Sequence, residues 1–214
     1  MKFKKAIGWF PDVGGTYFLS RMNKKIGVFL ALTCGRLKGK DVKKTGIATH
    51  FLDSARLFSL EKALCEAANL TPQTIEEILN EHSEADEGEF EASKIESIFS
   101  APSLEEIFER LQKDNSEWSK QQLKIMSSMS PSSLKVALRQ LELGSTMSLK
   151  ECLEMELQLN YPFFAANDCH EGVRALFEKE IKPKWNPSKI EEVTHELVES
   201  YFKSIPGREK LDIS

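Results

Sequence analysis

The sequence predicts a mostly α-helical protein with a small β part. Several amphipathic segments begin with a helix-capping residue, whereas only two short segments are β-prone. Hydrophobic residues make up 41% of the chain and charged residues 29%, which is ordinary for a globular protein. With 214 residues the chain is long enough to bury a core. Because two short strands are marginal in water, we expect the helices, a partner chain or further chain to cover them.

The first predicted strand, KAIGWF at residues 5–10, leads into the turn PDVGG. Pro11 fixes the approach to Asp12, and Gly14 and Gly15 let the N-terminus of the next helix sit close to a ligand. The pattern predicts a helix that begins near Gly14. The second predicted strand, ATHFLD at residues 48–53, is short, β-prone and bounded by turn residues.

Helix signals dominate the rest of the chain. Thr71 is a predicted N-cap with Pro72 in the first turn, where the missing N–H of proline costs nothing. Two capping boxes are predicted, Ser103 with Glu106 and Ser148 with Glu151. The segment 130–144 carries a leucine stripe and ends at a glycine. A last helix is predicted over residues 190–205, with one apolar face.

Charge and residue spacing argue against several classes of protein. The net charge of −4, from 29 basic and 33 acidic residues, leaves no basic surplus for nucleic acid. No CxxC, HxH or HxxxH pattern predicts a metal site among the cysteines and histidines, which are Cys34, Cys65, Cys152, Cys169, His50, His82, His170 and His195. No apolar run approaches the roughly 20 residues that a membrane span requires. The N-terminal stretch MKFKKAIGWF carries no readable targeting signal.

Four stretches, in this order, resemble the crotonase (enoyl-CoA hydratase/isomerase) superfamily. They are AIGWFPDVGGTYFLSR from Ala6, LALTCGRLKGKDVKKTGIATHFLDS from Leu30, MSPSSLKVALRQL from Met129 and DCHEGVRALFEKEIKPKW from Asp168. The resemblance extends from Ala6 to about Phe202. A long, charged helical region at about 57–124 stands where simple hydratases have a short stretch. This region points to the hydrolase branch of the superfamily, whose members cleave the thioester of 3-hydroxyisobutyryl-CoA.

The resemblance implies a crotonase-like spiral of ββα units with a helical region at its C-terminus, and this sequence matches the C-terminal half. We expect the end of the core with the active-site loop at 1–56, a helical insertion at 57–125 and the C-terminal helical region at 126–214. The family has a second carboxylate in a PET triplet, and Lys4 stands at that position here. A lysine cannot act as a carboxylate at neutral pH.

The family's glycine-rich oxyanion-hole segments lie further upstream than this sequence reaches. Together with Lys4, this predicts that the isolated chain is inactive. We also expect it to self-associate, because strand edges and apolar helix faces that lack their cover recruit other chains.

The resemblance also implies roles for individual residues. Asp12 matches the family's carboxylate in PDVGG and is predicted to be catalytic or to orient the substrate. The residues themselves leave open that Asp12 only caps the following helix. His50 is a candidate for lining the acyl pocket, or a structural histidine on a buried strand. Lys182, Lys184 and Trp185 match a stretch near the nucleotide end of coenzyme A, or form a basic surface turn.

The implied activity is hydrolysis of 3-hydroxyisobutyryl-CoA to 3-hydroxyisobutyrate and coenzyme A, a step of valine breakdown in the mitochondrial matrix. The implied partner is the acyl-CoA substrate, and no cofactor is expected beyond the coenzyme A that the substrate carries. One alternative is a catalytically inactive short form that acts as an interaction module, which Lys4 favours. Another is an enoyl-CoA hydratase or isomerase, which the long insertion and Asp12 disfavour.

Overall fold

The computed structural model describes residues 7–84, 91–178 and 181–204, and α-helices dominate these ranges. They are α1 Gly15–Ser20, α2 Ile26–Thr33, α3 Lys40–Lys44, α4 Leu57–Glu66, α5 Pro72–His82, α6 Ala92–Phe99, α7 Leu104–Asp114, α8 Glu117–Met126, α9 Pro131–Gly144, α10 Leu149–Ala165, α11 Asn167–Phe177 and α12 His195–Tyr201. The predicted mostly α class is confirmed. The chain forms two compact units, Met1–Gly35 with Ser93–Ser214, and Arg36–Ala92.

Helix α9 is the centre of the first unit, because α1, α2, α7 and α12 all pack against it. A hydrophobic cluster joins α9, α10 and α12 to the chain before α1; its buried members are Phe10, Val136, Leu159, Phe163, Val193, Val198 and Tyr201. The rings of Phe10 and Phe163 lie 4.9 Å apart between centroids. This packing fixes Phe10, the residue just before the PDVGG turn, in the core.

Most of the predicted helix starts are confirmed. Thr71 accepts a hydrogen bond from the N–H of Thr74, and the capping box at Ser148 is complete. At Ser103 only half of the predicted box forms: the serine accepts from the N–H of Glu106 at 3.2 Å. The carboxylate of Glu106 instead pairs with Arg110 at 2.6 Å, one turn later.

The predicted continuous tail helix over 190–205 is wrong in its described part. Residues Ile190–Glu192 form a 3₁₀ turn, and α12 begins only at His195. The side chain of Thr194 accepts from the N–H of Leu197 and starts a new helix there, while Val193 turns into the core. Ile205 lies outside the described residues.

The strand predicted at 5–10 does not form in its described part, 7–10. The backbone bends at Gly8, which has φ 65°, and the segment packs against helix α11 rather than against a neighbouring strand. A Cβ at Gly172 of α11 would overlap the backbone of Ile7, and a Cβ at Gly8 would come within 2.5 Å of the carbonyl oxygen of Asp168. Two glycines thus allow backbone contact between the segment and the helix. Residues 5 and 6 lie outside the described residues.

The strand predicted at 48–53 is also absent from the described structure. The carbonyl of Phe51 accepts from the N–H of Glu84 at 2.8 Å, just after the end of α5. Ser83 bonds the backbone of Phe51 through its hydroxyl. Because the partner is the end of a helix, the β-prone residues become an extended segment without a ladder. The expected small β part is therefore missing from the described residues.

The second unit contains α3, α4 and α5. The Nζ of Lys43 on α3 donates to the carbonyl of Glu84 at 2.8 Å and to the hydroxyl of Ser83 at 3.2 Å. These bonds tie α3 to the chain that leaves α5. Helices also fill the described part of 57–125, but the division at 56/57 and 125/126 stays a prediction.

Candidate active site

Asp12 lies on the surface of the first unit, in the turn between the buried Phe10 and helix α1. Its carbonyl accepts from the N–H of Gly15 at 2.9 Å. Its carboxylate accepts from the indole N–H of Trp9 at 3.1 Å and makes no cap bond to α1. The alternative in which Asp12 only caps the helix is therefore wrong. The turn presents this carboxylate toward solvent and orients it with one indole.

The backbone after Asp12 is strained. Val13 has φ 57° and Gly14 has φ 81°, both in the left-handed region. Glycine adopts this conformation freely, whereas a β-branched residue does so at a cost. Val13 is also 89% exposed, so burial of its side chain does not offset that strain. Such outliers cluster at functional sites, which is consistent with a functional loop here.

A buried carboxylate from a distant helix caps α1. Glu156, in the middle of α10, is only 4% exposed. Its two oxygens accept from the N–H of Gly14 at 2.8 Å and from the N–H of Thr16 at 2.9 Å. Sequence reasoning missed Glu156, because its partners lie some 140 residues away. The only local signal was a glutamate inside a largely apolar helical stretch.

Helix α9 also holds the PDVGG loop, through the side chain of Gln140. The side-chain N–H₂ of Gln140 donates to the carbonyl of Pro11 at 2.7 Å and to the hydroxyl of Thr16 at 2.5 Å. Both Gln140 and Thr16 are fully buried. The PDVGG loop is therefore held between two helices, with its ends fixed and its middle, Asp12 and Val13, exposed.

Exposed apolar side chains lie on the same loop and next to Trp9. Phe164, at the end of α10, is largely exposed and meets Trp9 edge-on at 4.9 Å between ring centroids. Val13 and Phe18 are exposed as well. The Asp12 carboxylate is therefore bonded to one aromatic side chain, Trp9, which in turn packs on Phe164.

His50 belongs to the second unit, where its contacts are local. Its Nδ1 lies 2.9 Å from the hydroxyl of Thr49, and its Nε2 lies 3.2 Å from the Oδ1 of Asn80 and 3.6 Å from Glu76. These contacts connect the 48–53 segment to α5. The role of His50 in substrate binding stays a prediction.

The segment with Lys182, Lys184 and Trp185 is held by α11 and by the turn between α8 and α9. The N–H of Lys184 donates to Glu171 at 3.0 Å, and the indole of Trp185 donates to the carbonyl of Ser128 at 3.0 Å. Arg174 and the Lys184 N–H lower the pKa of Glu171 to about 2. Both lysines are exposed. The sequence predicted these residues as a group, and the structure adds the anchor that holds them.

Metal-binding groups are not clustered in the described part of the chain, where no three His, Cys, Asp or Glu side chains could hold an ion together. Among the described helices, none combines the length and apolarity that a membrane crossing needs.

The family comparison agrees with this architecture. A model of the enoyl-CoA hydratase/isomerase family matches residues 4–202, so the chain belongs to that family. Among solved structures, a carnitinyl-CoA dehydratase from Mycobacterium thermoresistibile superimposes with a TM-score of 0.80 at 26% identity. That match covers 94% of this chain and 58% of the dehydratase. An enoyl-CoA hydratase from Rhodobacter sphaeroides 2.4.1 gives 0.76 at 30% identity, with 92% and 56% covered. The fold is crotonase-like.

Within the family, the chain is similar to proteins named 3-hydroxyisobutyryl-CoA hydrolase, mitochondrial. The human protein is 48% identical over 209 residues, which cover 94% of this chain and 54% of the human protein. The Dictyostelium discoideum protein is 44% identical over 214 residues, with 96% and 56% covered. This chain therefore spans about half the length of these relatives.

Proposed function

We propose that this chain carries the Asp12 loop of an enzyme that hydrolyses the thioester of 3-hydroxyisobutyryl-CoA. The observation that carries the proposal is the loop itself: an exposed carboxylate, oriented by Trp9 and beside a strained Val13, in a chain 44–48% identical to hydrolases of that name. The names of those relatives include the word mitochondrial, and we place the reaction in the mitochondrial matrix and in valine breakdown, as the family resemblance implies.

The chemistry asks for a carboxylate at this position. Water adds to the thioester carbonyl, the C–S bond breaks, and the products are the free acid and the coenzyme A thiol. Asp12 either takes a proton from that water or holds the 3-hydroxyl of the substrate. The charge on the carbonyl oxygen needs backbone N–H donors, and the family supplies these from segments outside this chain.

The proposal also assigns substrate contacts to Lys182, Lys184, Trp185 and His50. The exposed Lys182 and Lys184 face the anionic nucleotide end of coenzyme A, with Trp185 beside them, and His50 contributes to the acyl pocket. No cofactor is needed besides the coenzyme A that the substrate carries. Residues 1–56 form the end of the catalytic core, 57–125 the insertion and 126–214 the C-terminal helical region.

Thiol release from 3-hydroxyisobutyryl-CoA tests the proposal in two preparations. The 214-residue chain alone should give no turnover, because loss of one oxyanion donor already costs about 100-fold or more in rate. The chain co-expressed with the N-terminal half of the human relative, called the combined protein below, should release thiol. Turnover by the chain alone, or none by the combined protein, would contradict the proposal.

Hydratase or isomerase activity is the second candidate, since the structural relatives reported above are named a dehydratase and an enoyl-CoA hydratase. Hydration of crotonyl-CoA by the combined protein, without thiol release from the hydroxyacyl substrate, would favour it. A combined protein with neither activity would favour the inactive interaction module.

A further inference from the structure

The strongest unexplained feature of the first unit is a charged side chain in its interior. Glu156 is almost fully buried and makes no described ion pair with a lysine or arginine. Burial of an unpaired carboxylate is costly unless hydrogen bonds stabilise the charge. Here the two donors are backbone N–H groups at the start of α1. Those donors, Gly14 and Thr16, lie two and four residues after Asp12 in the sequence.

The geometry determines what these bonds constrain. Gly14 donates at 2.8 Å while its own backbone is in the left-handed region, and Thr16 donates at 2.9 Å. Because the Glu156 carboxylate accepts from the N–H groups of Gly14 and Thr16, it fixes the direction in which the chain turns from Val13 into α1. The position of Asp12 is thereby fixed from its C-terminal side.

Gln140 fixes the same loop from its N-terminal side through the carbonyl of Pro11. Its amide orientation is settled by these contacts, because only an N–H₂ group can donate to that carbonyl. The described bonds from α9 and α10 reach the two ends of the loop and not its middle, Asp12 and Val13. Loss of either bond set should therefore move Asp12 and leave the rest of the unit in place.

We propose that Glu156 is a positioning residue, which holds Asp12 in its working place through the Gly14 and Thr16 amides. A purely structural role would stabilise the fold without any specific effect on Asp12. The proposal rests on the proposed function for its catalytic consequence. Its geometric consequence does not, so the two are tested separately.

The geometric test uses the combined protein reconstituted from the uniformly ¹⁵N-labelled 214-residue chain and the unlabelled N-terminal half, so that every signal comes from this chain. The chain has three tryptophans, and only the indole of Trp9 bonds Asp12 among the described contacts. Glu156→Gln keeps the shape but replaces one acceptor oxygen with a donor. We expect the Trp9 indole resonance to move while those of Trp118 and Trp185 stay in place. Amide exchange at Gly14 and Thr16 should be about tenfold faster or more.

Glu154→Gln is the matched control, since Glu154 lies on the same helix and has no described bond to the loop. Glu156→Asp keeps both oxygens but is one methylene shorter, and it should give an intermediate effect. It also serves as the second variant if Glu156→Gln does not fold. A folded variant with an unchanged Trp9 resonance, or one in which all three resonances shift alike, would overturn the proposal.

The kinetic test measures thiol release by the same proteins. Glu156→Gln should lower kcat by about tenfold to 100-fold with little change in KM, since small misplacements of a reacting group are costly. An unchanged kcat with a displaced Trp9 resonance would overturn the positioning role. An inactive wild type would count against the proposed function, and the spectra would still decide the geometric claim.

Discussion

The two glycines of the PDVGG turn should respond differently to the same substitution. Gly14 has φ +81°, and the nearest neighbours of a Cβ there would be the Phe18 ring at 3.5 Å and Leu149 at 3.9 Å. The space is therefore open, and the cost of Gly14→Ala is almost entirely the left-handed backbone. Gly15 has helical geometry as the first residue of α1, and a Cβ there would lie 3.3 Å from the Cβ of Pro11.

The expected magnitudes follow from these environments. An L-residue in the left-handed region costs about 1–2 kcal/mol, so Gly14→Ala should lower the free energy of unfolding by that amount. For a protein of this size, each kcal/mol lowers Tm by about 2–4 °C. At Gly15 the helix preference of alanine, at most about 1 kcal/mol, is offset by the tight contact with Pro11. Gly15→Ala should stay within about 0.5 kcal/mol of the wild type.

Thermal unfolding of the chain combined with the N-terminal half of the human relative, followed by tryptophan fluorescence, measures this difference; the first unit contains Trp9, Trp118 and Trp185. The two variants differ by one position and have identical composition, so each is the control for the other. Equal losses of stability, or a larger loss for Gly15→Ala, would refute the assignment of strain to Gly14.

Three further predictions concern Val13, Glu171 and the association of the isolated chain. Val13→Asn should raise the free energy of unfolding by about 0.5–1 kcal/mol in chemical denaturation, because asparagine tolerates the left-handed region; a loss of stability would argue against strain at Val13. The pKa of Glu171 is depressed from 4.5 to about 2, so its contribution to stability is present above pH 4.5 and is lost as the pH falls toward 2. Acid titration of Glu171→Gln should therefore show a smaller loss of stability over that range than the wild type, and equal losses would contradict this. The isolated chain should self-associate in sedimentation experiments, since Val13, Phe18 and Phe177 are exposed; a monodisperse monomer with a sharp thermal transition would contradict it.

The parts of the fold that local sequence determines were predictable. A capping residue acts on an N–H three residues away, so Thr71, Ser148 and the PDVGG turn could be identified from short segments. Asp12 could be identified because its motif is contiguous. The predicted strands failed because an extended, β-prone segment becomes a strand only beside another strand. Here the neighbours are α11 and the end of α5.

The side chains that hold the loop could not be predicted. Glu156 and Gln140 act across 142 and 129 residues, and neither belongs to a motif. Their roles depend on which faces of α9 and α10 meet α1, which is decided by packing. The same holds for Glu171, whose partner Lys184 lies beyond the end of α11.

The central claim is that thioester hydrolysis depends on the Asp12 carboxylate, and Asp12→Asn in the combined protein tests it most directly. The substitution keeps the shape of the side chain and removes its charge. The control is Asp41→Asn, which changes the same type of side chain on α3. We predict that Asp12→Asn lowers kcat for thiol release from 3-hydroxyisobutyryl-CoA by about 100-fold or more, while Asp41→Asn stays near the wild type. A rate for Asp12→Asn close to that of the wild type would contradict the claim.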